Sequence, residues 1–325
     1  MKKSLIYLIV PNWNGKNRLS SCLDSLLSQN QSAQVLVVDN GSTDGSVEFV
    51  KQKYPGVQLI SLPQNTGFSG GVNAGIKKAL EVGADYIGLF NNDAVADKNW
   101  LSELVKVLDN QAEVGIVTCK LMRDDRQHFD STGDQYSIYG MPFPRARNVL
   151  DEGQFDKPEP VFSASGGASL YRAKLFTQVG LFDQKFFAYY EDVDISFRAR
   201  SAGWQIYYQP SALAYHEVSA TSSGLGSFTR YHATKNFYLL YLKNMPGWLF
   251  WKYLPNFGFQ TLRLAASSLI KGGSWAFIRG TLRAIVYLPA IFTDRHKVQS
   301  FRKVSPASID ALLYKQRPPK IPSLP

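Results

Sequence analysis

The segment YYEDVDISFRARSAGW, residues 189–204, has three carboxylates among four consecutive residues, namely Glu191, Asp192 and Asp194. Acidic side chains are favoured in the first turn of a helix, and Asp194 precedes Arg198 by four residues, a spacing at which helical side chains meet. Helix formation therefore accounts for Asp194 and partly for Glu191, but it gives Asp192 no role. Asp192 is the first candidate for a functional carboxylate.

Asp39 ends the apolar run VLVVD and opens the turn-rich segment NGSTDGS. A carboxylate at the end of a buried strand can accept a hydrogen bond from the imide N–H of uracil or thymine. The same residues also suit an Asx-type turn, with Asn40–Gly41 and Asp44–Gly45 as turn pairs. Nucleobase binding and plain turn formation both stay open on this evidence.

Asp93 follows another apolar run, in GLFNNDAV. A single carboxylate there can hold a divalent ion against a diphosphate, since Mg²⁺ often takes one or two protein carboxylates plus phosphate oxygens. The alternative is a capped turn before a helix near Trp100. The glycine-rich loop QNTGFSGGVNAG can bring backbone N–H groups to a phosphate at a helix start. His216 follows a short apolar run. A single histidine in such a position is more often a hydrogen-bonded core residue than a metal ligand.

The elements that position these residues alternate between strands and helices over residues 1–120. The predicted strands are 4–10, 35–39, 57–62, 86–93 and 114–119, and the predicted helices are 19–27, one beginning at 47–50, 71–81 and 101–108. Such apolar strands predict a mainly parallel sheet covered on both faces, with ligands at the carboxyl ends of its strands. Residues 121–160 lose this rhythm and predict a long excursion or hairpin.

Several protein classes are disfavoured by what the chain lacks. No GxGxxG follows the first strand and no GxxxxGK[ST] occurs, which argues against a dinucleotide-binding domain and a P-loop. The first apolar run has only seven residues before Pro11 and no small-residue cleavage site, so we expect a core strand rather than a signal peptide. Cys22 and Cys119 are predicted to be buried thiols in a reducing compartment.

Taken in order, these motifs resemble those of the family 2 glycosyltransferases, which have the GT-A fold. The resemblance covers roughly residues 4–217 and is closest to the bacterial branch that contains rhamnosyltransferases of cell-surface polysaccharide assembly. The matching motifs are VPNWN (nucleotide loop), VVDNGSTDGS (nucleobase loop), NTGFSGGVNAG (phosphate-side loop), NND (the metal-binding DxD position), YEDVDISFRARSAGW (catalytic base) and LAYH. The first aspartate of DxD is Asn91 here, so Asp93 is the charged residue of that motif.

The resemblance implies an inverting transfer with Asp192 as the general base and a divalent metal, Mg²⁺ or Mn²⁺, held by Asp93 and His216. The implied nucleotide-sugar contacts are Pro11, Trp13, Asn14, Asp39, Asn65, Gly67, Gly71, Asn73, Asn92 and Asp93. The implied acceptor-side residues are Gly166, Gly167, Glu191 and Trp204. Residues 1–217 are the expected catalytic domain, with a nucleotide-binding part to about 120 and an acceptor-side part from about 121.

Residues 218–325 form a second region of different composition. After a Ser/Gly-rich break at 217–228 they carry 15 Lys/Arg and two acidic residues, a net charge of +13, although the whole chain carries +10. Within residues 228–303 uncharged stretches reach only ten residues, whereas a bilayer span needs about 18 to 20. Aromatic and basic helices of this kind predict attachment to an anionic membrane surface, on the cytoplasmic face of the cell membrane. The alternative is a helical bundle packed on the catalytic domain; no recognisable nucleic-acid-binding module accompanies the charge.

Two other functions compete with glycosyl transfer. A sugar-phosphate nucleotidyltransferase shares a nucleotide-binding sheet but opens on a lysine-bearing GxGTR-like loop, which PNWNGKNR does not resemble. A non-catalytic polysaccharide-binding or scaffold subunit has no need for both Asp93 and Asp192. Within the favoured function, UDP- and dTDP-sugars both fit Asp39, the branch favours dTDP-rhamnose, and the expected acceptor is a glycan carried on a lipid.

Overall fold

The strands and helices follow the predicted alternation in the first 120 residues. The computed structural model describes residues 4–217, 226–270 and 272–322; residues 1–3 and most of the predicted Ser/Gly-rich break lie outside these ranges. The strands in the described ranges are β1 (Ile6–Asn12), β2 (Gln34–Asp39), β3 (Gln58–Ser61), β4 (Tyr86–Phe90), β5 (Ala94–Ala96), β6 (Val114–Arg123), β7 (Phe129–Ser131), β8 (Asp134–Tyr136), β9 (Pro142–Pro144), β10 (Glu159–Pro160), β11 (Ala168–Arg172) and β12 (Gln205–His216).

The helices fall into a set that covers the sheet and a C-terminal set. The first set is α1 (Lys16–Leu27), α2 (Ser46–Lys53), α3 (Gly67–Glu81), α4 (Trp100–Asn110), α5 (Ala173–Val179) and α6 (Glu191–Ser201). The second is α7 (Gly226–Asn244), α8 (Gly247–Ile270), α9 (Ser274–Val286), α10 (Leu288–Ser300) and α11 (Pro306–Leu312). The third helix begins at Gly67, four residues before the predicted start at residue 71.

The central sheet has the strand order β10-β12-β6-β11-β4-β1-β2-β3, with β5 paired to β12 and β7 to β6. Strands β3, β2, β1 and β4 are parallel to one another, and so are β6 and β12. The prediction of a mainly parallel α/β sheet is confirmed. Strand β11 lies between β4 and β6 and runs antiparallel to both, an insertion that the alternation of strands and helices did not predict.

Both faces of the sheet are covered. Helices α1 and α4 pack on one face, where Leu23 and Trp100 meet Val10 of β1 and Phe90 of β4. Helices α3, α5 and α6 pack on the other face against the alternate residues of the same strands. Leu27 was expected on the buried side of α1 but is exposed, because it is the last residue of that helix. Cys22 and Cys119 are free and buried, which confirms their prediction as buried thiols.

The excursion at residues 121–160 contains a hairpin, as predicted. Strands β8 and β9 pair antiparallel as a small second sheet, and β7 pairs with the end of β6. The runs WQIYYQP and ALAYHE form one long strand, β12, with an irregularity in its pairing between Gln209 and Leu213. The hairpin and the end of β12 therefore lie at the same edge of the sheet.

The C-terminal helices share a third core with α6. Phe186, Val193 and Phe197 pack with Phe237 and Tyr241 of α7. Helix α9 approaches α7 closely at Gly280, where a Cβ atom would lie 2.7 Å from the backbone oxygen of Tyr231. The described part of this region therefore packs on α6 and the segment before it, as a structural bundle does.

The same helices also present a large apolar surface. Trp251, Ile270 and Trp275 are 71%, 83% and 69% exposed, and they lie among the exposed large hydrophobic residues of α8, α9 and α10. Monomeric soluble proteins rarely expose wide apolar patches without an interaction partner. Among the described residues no single helix has the length and composition to cross a membrane; α9 and α10, bent by 61° at their junction, satisfy both requirements as a pair.

Candidate active site

A cavity of about 440 Å³ opens at the carboxyl ends of β1, β4 and β12. Because β11 runs antiparallel, its start brings Gly166 and Gly167 to this same edge of the sheet. The predicted site residues that line the cavity are Pro11, Trp13, Asn65, Gly67, Asn92, Asp93, Gly166, Gly167, Glu191, Asp192 and His216. The structure therefore brings together residues that are more than 200 positions apart in the sequence.

Five predicted residues do not line this cavity: Asn14, Asp39, Gly71, Asn73 and Trp204. Asn73 donates to the carbonyl of Phe182 and accepts from its N–H, at 2.7 and 3.0 Å. The Trp204 indole N–H donates to Gln178. Asn73 therefore holds the loop at Phe182 and Trp204 contacts α5; their predicted contacts with a ligand stay predictions.

Asp39 connects the loops that follow β1 and β2. Its two oxygens accept hydrogen bonds from Asn12 Nδ2 at 2.9 Å and from the N–H of Ser42 at 3.0 Å. The Ser42 bond is a turn interaction, and the carboxylate is almost fully buried. Asn14 belongs to the same pair of loops, because its side chain accepts from the N–H of Thr43. Asp39 therefore fixes the loops, and a nucleobase contact stays a prediction.

The glycine-rich loop is held by Asn40. The Asn40 side chain accepts from the N–H of Thr66 at 2.9 Å and donates to the carbonyl of Gly67 at 2.9 Å. Gly67 has a φ of 75°, and a Cβ atom there would lie 2.4 Å from the backbone oxygen of Phe187. Gly71 lies against Asn40 in the same way, with a Cβ-to-Nδ2 distance of 3.2 Å. Glycine is required at residue 67 for the loop to contact the segment that precedes α6.

Asp93 and His216 lie side by side, as predicted for a shared role. His216 Nε2 is 3.0 Å from Asp93 Oδ1, and His216 Nδ1 is 2.9 Å from Asp130 Oδ2. Burial lowers the pKa of His216, but its hydrogen bonds to Asp130 and Asp93 raise that pKa to about 10. Each ring nitrogen of His216 therefore faces a carboxylate, and a metal ion bound at Nε2 would replace the proton on that nitrogen.

These residues fit a divalent ion. A metal-ligating histidine commonly donates its second ring N–H to a carboxylate, the arrangement that Asp130 provides. Within residues 4–217, 226–270 and 272–322 no group of three or more His, Cys, Asp or Glu side chains is arranged to hold a metal. Two protein ligands, Asp93 and His216, suit an ion that completes its coordination with phosphate oxygens and water.

Asp192 lines the same cavity, at the first turn of α6. Its Oδ2 accepts from the N–H of Gly166 at 3.0 Å, and its Oδ1 accepts from the N–H of Val193 at 2.8 Å. Burial raises the pKa of Asp192, and these hydrogen bonds act against that rise. The carboxylate is thus fixed in orientation and lines the cavity, and a general base needs both properties.

Two further carboxyl groups surround Asp192. Burial and the Asp192 charge raise the pKa of Glu191 to about 8 and that of Asp134 to about 7. Glu191 Oε2 is buried with no hydrogen-bond partner among the described residues, whereas Asp134 Oδ1 accepts from the hydroxyl of Ser131 at 2.9 Å. Closely spaced carboxyl groups cannot all ionise easily, so their protonation is coupled.

The segment before α6 has a strained backbone. Phe187, Tyr189 and Tyr190 have φ values of 65°, 71° and 69°, which residues other than glycine rarely adopt. Asn236 of α7 donates to the carbonyls of Phe186, Ala188 and Tyr189, at 3.0, 2.8 and 2.7 Å. A buried residue of the C-terminal region thus stabilises the strained segment that presents Asp192.

The sequence did not identify Asp130, Asp134 and Arg147 as site residues, although all three line the cavity. They come from the excursion, where no strand or helix pattern marked a position. The only signal was an acidic pair, FDSTGD, in a segment rich in turn residues. Their contribution depends on the hairpin, which places this segment over the ends of β4 and β12.

Comparisons with known proteins agree with this architecture. A family model described as "Glycosyltransferase like family 2" matches residues 3–235. The N-acetylglucosaminyl-diphospho-decaprenol L-rhamnosyltransferase of Mycobacterium tuberculosis is 28% identical over 242 residues, 68% of this chain and 78% of that protein. The dTDP-rhamnosyl transferase RfbF of Shigella flexneri is 25% identical over 252 residues, 74% of this chain and 81% of that protein.

A solved structure shows the same fold at low sequence identity. The mannosyltransferase PcManGT from Pyrobaculum calidifontis, in complex with GDP-Man and Mn²⁺, has a TM-score of 0.56 and is 16% identical. The alignment covers 96% of this chain and 79% of that one. Since the family model covers most of the sequence and the GT-A architecture is present, the chain belongs to glycosyltransferase family 2 and is a glycosyltransferase.

Proposed function

We propose that this enzyme transfers a sugar from a nucleoside diphosphate to a glycan hydroxyl with inversion at the anomeric carbon. The observation that carries the proposal is that Asp192, Asp93 and His216 all line one cavity. A base and a cation-binding pair in one cavity are the two groups that an in-line displacement needs. The acceptor approaches from the side of Asp192, and the diphosphate departs toward Asp93.

In this reaction Asp192 accepts the proton of the acceptor hydroxyl as its oxygen bonds to the anomeric carbon. The bond between that carbon and the diphosphate oxygen breaks, and the nucleoside diphosphate leaves with the electron pair. Gly166 and Val193 hold the base in position through their N–H groups. A divalent ion held by Asp93 and His216 would neutralise charge that grows on the leaving diphosphate.

We infer dTDP-rhamnose as the favoured donor and a lipid-linked glycan as the acceptor. Support comes from two relatives of similar length, one named a dTDP-rhamnosyl transferase and the other a rhamnosyltransferase that acts on a diphospho-decaprenol. UDP-sugars are candidates as well, because the Asp39 carboxylate would accept a hydrogen bond from the imide N–H of uracil as readily as from that of thymine. A role in cell-envelope polysaccharide assembly follows from the same two relatives.

The test is binding and hydrolysis of UDP-, dTDP- and GDP-sugars with Mg²⁺, with Mn²⁺ and with chelator. We expect one donor class to be hydrolysed slowly without acceptor, and donor binding to weaken in chelator. Asp93→Ala should lower donor affinity with metal present and make it indifferent to chelator, because one of two side-chain ligands is lost. Calorimetry that shows unchanged, still metal-dependent binding in Asp93→Ala would contradict this assignment.

We further propose that residues 218–325 hold the enzyme on the anionic inner face of the cell membrane. The support is the exposed apolar surface of α8, α9 and α10, in which Trp275 shares α9 with the exposed cations Arg279 and Arg283. Each cation near an anionic surface contributes about 1 kcal/mol, and salt screens that contribution. Residues 1–217 remain the proposed catalytic domain, although its base-bearing segment is supported by α7.

We expect the protein to float with anionic liposomes at low salt and to be released only in part by high salt. Trp251→Ser together with Trp275→Ser should weaken flotation strongly, because both side chains are exposed and need not support folding. Leu27→Ser is the matched control, since Leu27 is 53% exposed but lies on α1. A folded wild-type protein that ignores anionic vesicles at low salt would exclude the membrane proposal and leave the catalytic one intact.

A further inference from the structure

Arg147 is the only lysine or arginine among the described residues that line the cavity. It follows the β8–β9 hairpin in a turn where its two neighbours, Ala146 and Asn148, have φ values of 63° and 62°. Backbone held in this sparsely populated region on both sides of one residue costs free energy and is common at functional sites. The turn therefore fixes the direction in which Arg147 leaves the backbone.

Asp130 holds the Arg147 guanidinium by one edge. Nη2 of Arg147 is 2.8 Å from Asp130 Oδ1, and Nε donates to the Asp130 carbonyl at 3.2 Å. Nη1 has no protein partner among the described residues, and the side chain is 32% exposed. An arginine held on one edge with a free nitrogen in a cavity can still donate to a ligand.

Asp130 also links Arg147 to the predicted metal ligands. Its Oδ2 pairs with His216, which in turn contacts Asp93, so His216 and Arg147 occupy opposite oxygens of one buried carboxylate. Only the Asp130 carboxylate thus separates Arg147 from His216, beside which the leaving diphosphate is expected. Its charge also acts on Asp134 and Asp192: burial raises the pKa of both carboxyl groups, and the Arg147 charge opposes that rise.

The charge balance of the cavity calls for such a group. Five carboxyl groups line it, those of Asp93, Asp130, Asp134, Glu191 and Asp192. A nucleoside diphosphate is anionic and would be repelled unless cations face it. The guanidinium is planar, remains charged at every working pH and matches two phosphate oxygens at once.

We propose that Arg147 binds the diphosphate of the nucleotide and stabilises it as the leaving group. The inference rests on the proposed function, because it takes the nucleoside diphosphate as the group that departs. Charge on the diphosphate oxygen grows as the glycosidic bond breaks, so a fixed cation there binds the transition state more tightly than the donor. Arg147 therefore supplies positive charge in addition to any metal ion at Asp93 and His216.

The experiment compares UDP and dTDP with the corresponding nucleosides, by calorimetry on the full chain with Mn²⁺ and with chelator. Arg147→Gln should weaken diphosphate binding by about 10- to 100-fold, the range for hydrogen bonds to charged groups, and leave nucleoside binding nearly unchanged. The loss should persist in chelator. Arg147→Lys should recover part of it, since lysine restores the charge but not the fork.

Arg126→Gln is the matched control, because Arg126 lies in the same excursion and is exposed outside the cavity, over the ring of Tyr215. Equal losses for diphosphate and nucleoside in Arg147→Gln would assign a structural role and overturn the proposal. If Arg147→Gln leaves the diphosphate affinity unchanged but raises the KM for a lipid-diphosphate acceptor, Arg147 binds the acceptor, and the proposal is overturned as well. A wild-type protein that binds no nucleoside diphosphate would instead refute the proposed function, and this inference with it.

Discussion

Asp192→Asn should abolish sugar transfer while donor binding is nearly unchanged. Removing a general base costs about 10²- to 10⁴-fold in rate, and asparagine keeps the shape of the side chain and an oxygen for the N–H of Gly166. The loss should appear in kcat, because the missing proton acceptor acts only as the acceptor oxygen bonds to carbon. Steady-state transfer rates together with calorimetry of the nucleoside diphosphate separate the two effects.

Glu191→Gln provides the comparison for Asp192→Asn. Burial and the Asp192 charge raise the pKa of Glu191 to about 8, so at pH 7 its side chain is mostly the neutral acid that glutamine imitates. We expect a smaller loss of rate from Glu191→Gln than from Asp192→Asn. If Asp192→Asn retains more than about a tenth of wild-type turnover, Asp192 is not the base, since even a weak general base contributes more.

The residues that could be predicted from the sequence lie where a local pattern ends. Asp93 follows a buried strand, and Asp192 begins a helix whose other acid, Asp194, is accounted for by its pairing with Arg198. That pairing was predicted from the four-residue spacing and is confirmed. Strand ends and helix starts are local features, so a single sequence is sufficient to find them.

Asp130 and Arg147 could not be found in this way. Their positions depend on a hairpin and on a turn flanked by left-handed residues, and neither follows a hydrophobic period. The antiparallel direction of β11 was missed for a related reason. A strand buried on both faces has the same apolar pattern in either direction, so only the partner strands reveal its orientation.

The charge of the C-terminal region was only partly informative. Lys235 and Lys243 count toward its net charge of +13, yet both are buried. Lys235 donates to the carbonyls of Lys185 and Phe186, and burial lowers its pKa to about 8. The sequence cannot separate such internal cations from surface ones, because both occur in the same aromatic and basic helices. The buried cations belong to the packing of these helices on the rest of the chain, and the exposed cations belong to the proposed membrane surface. The two predictions for this region are therefore compatible.

Lys243→Met should destabilise the whole protein, because Lys243 joins α7 to α6, the helix that carries the proposed base Asp192. Its Nζ lies 2.8 Å from Asp183 Oδ2 and 2.9 Å from Asp194 Oδ1, and all three side chains are nearly buried. Removing one partner from a buried ion pair costs about 3–5 kcal/mol when the remaining charge is left without compensation. Asp194 keeps Arg198 and Asp183 keeps Lys185, so we expect a cost at or below the lower end of that range. Urea unfolding at pH 7, followed by circular dichroism, measures the change in the free energy of unfolding.

Lys252→Met is the control, since Lys252 forms a surface pair with Asp310 and its loss should leave the free energy of unfolding nearly unchanged. The pH dependence supplies an independent check. Burial opposes ionisation of Asp183, but Lys243 and Lys185 hold its pKa below the usual range. A depressed carboxyl pKa stabilises the folded state above the unfolded value of about 4, and this contribution is lost as the pH falls. The stability difference between wild type and Lys243→Met should therefore be largest near neutrality and shrink below about pH 4. A Lys243→Met protein as stable as Lys252→Met at pH 7 would show that this cluster does not hold α7 against α6.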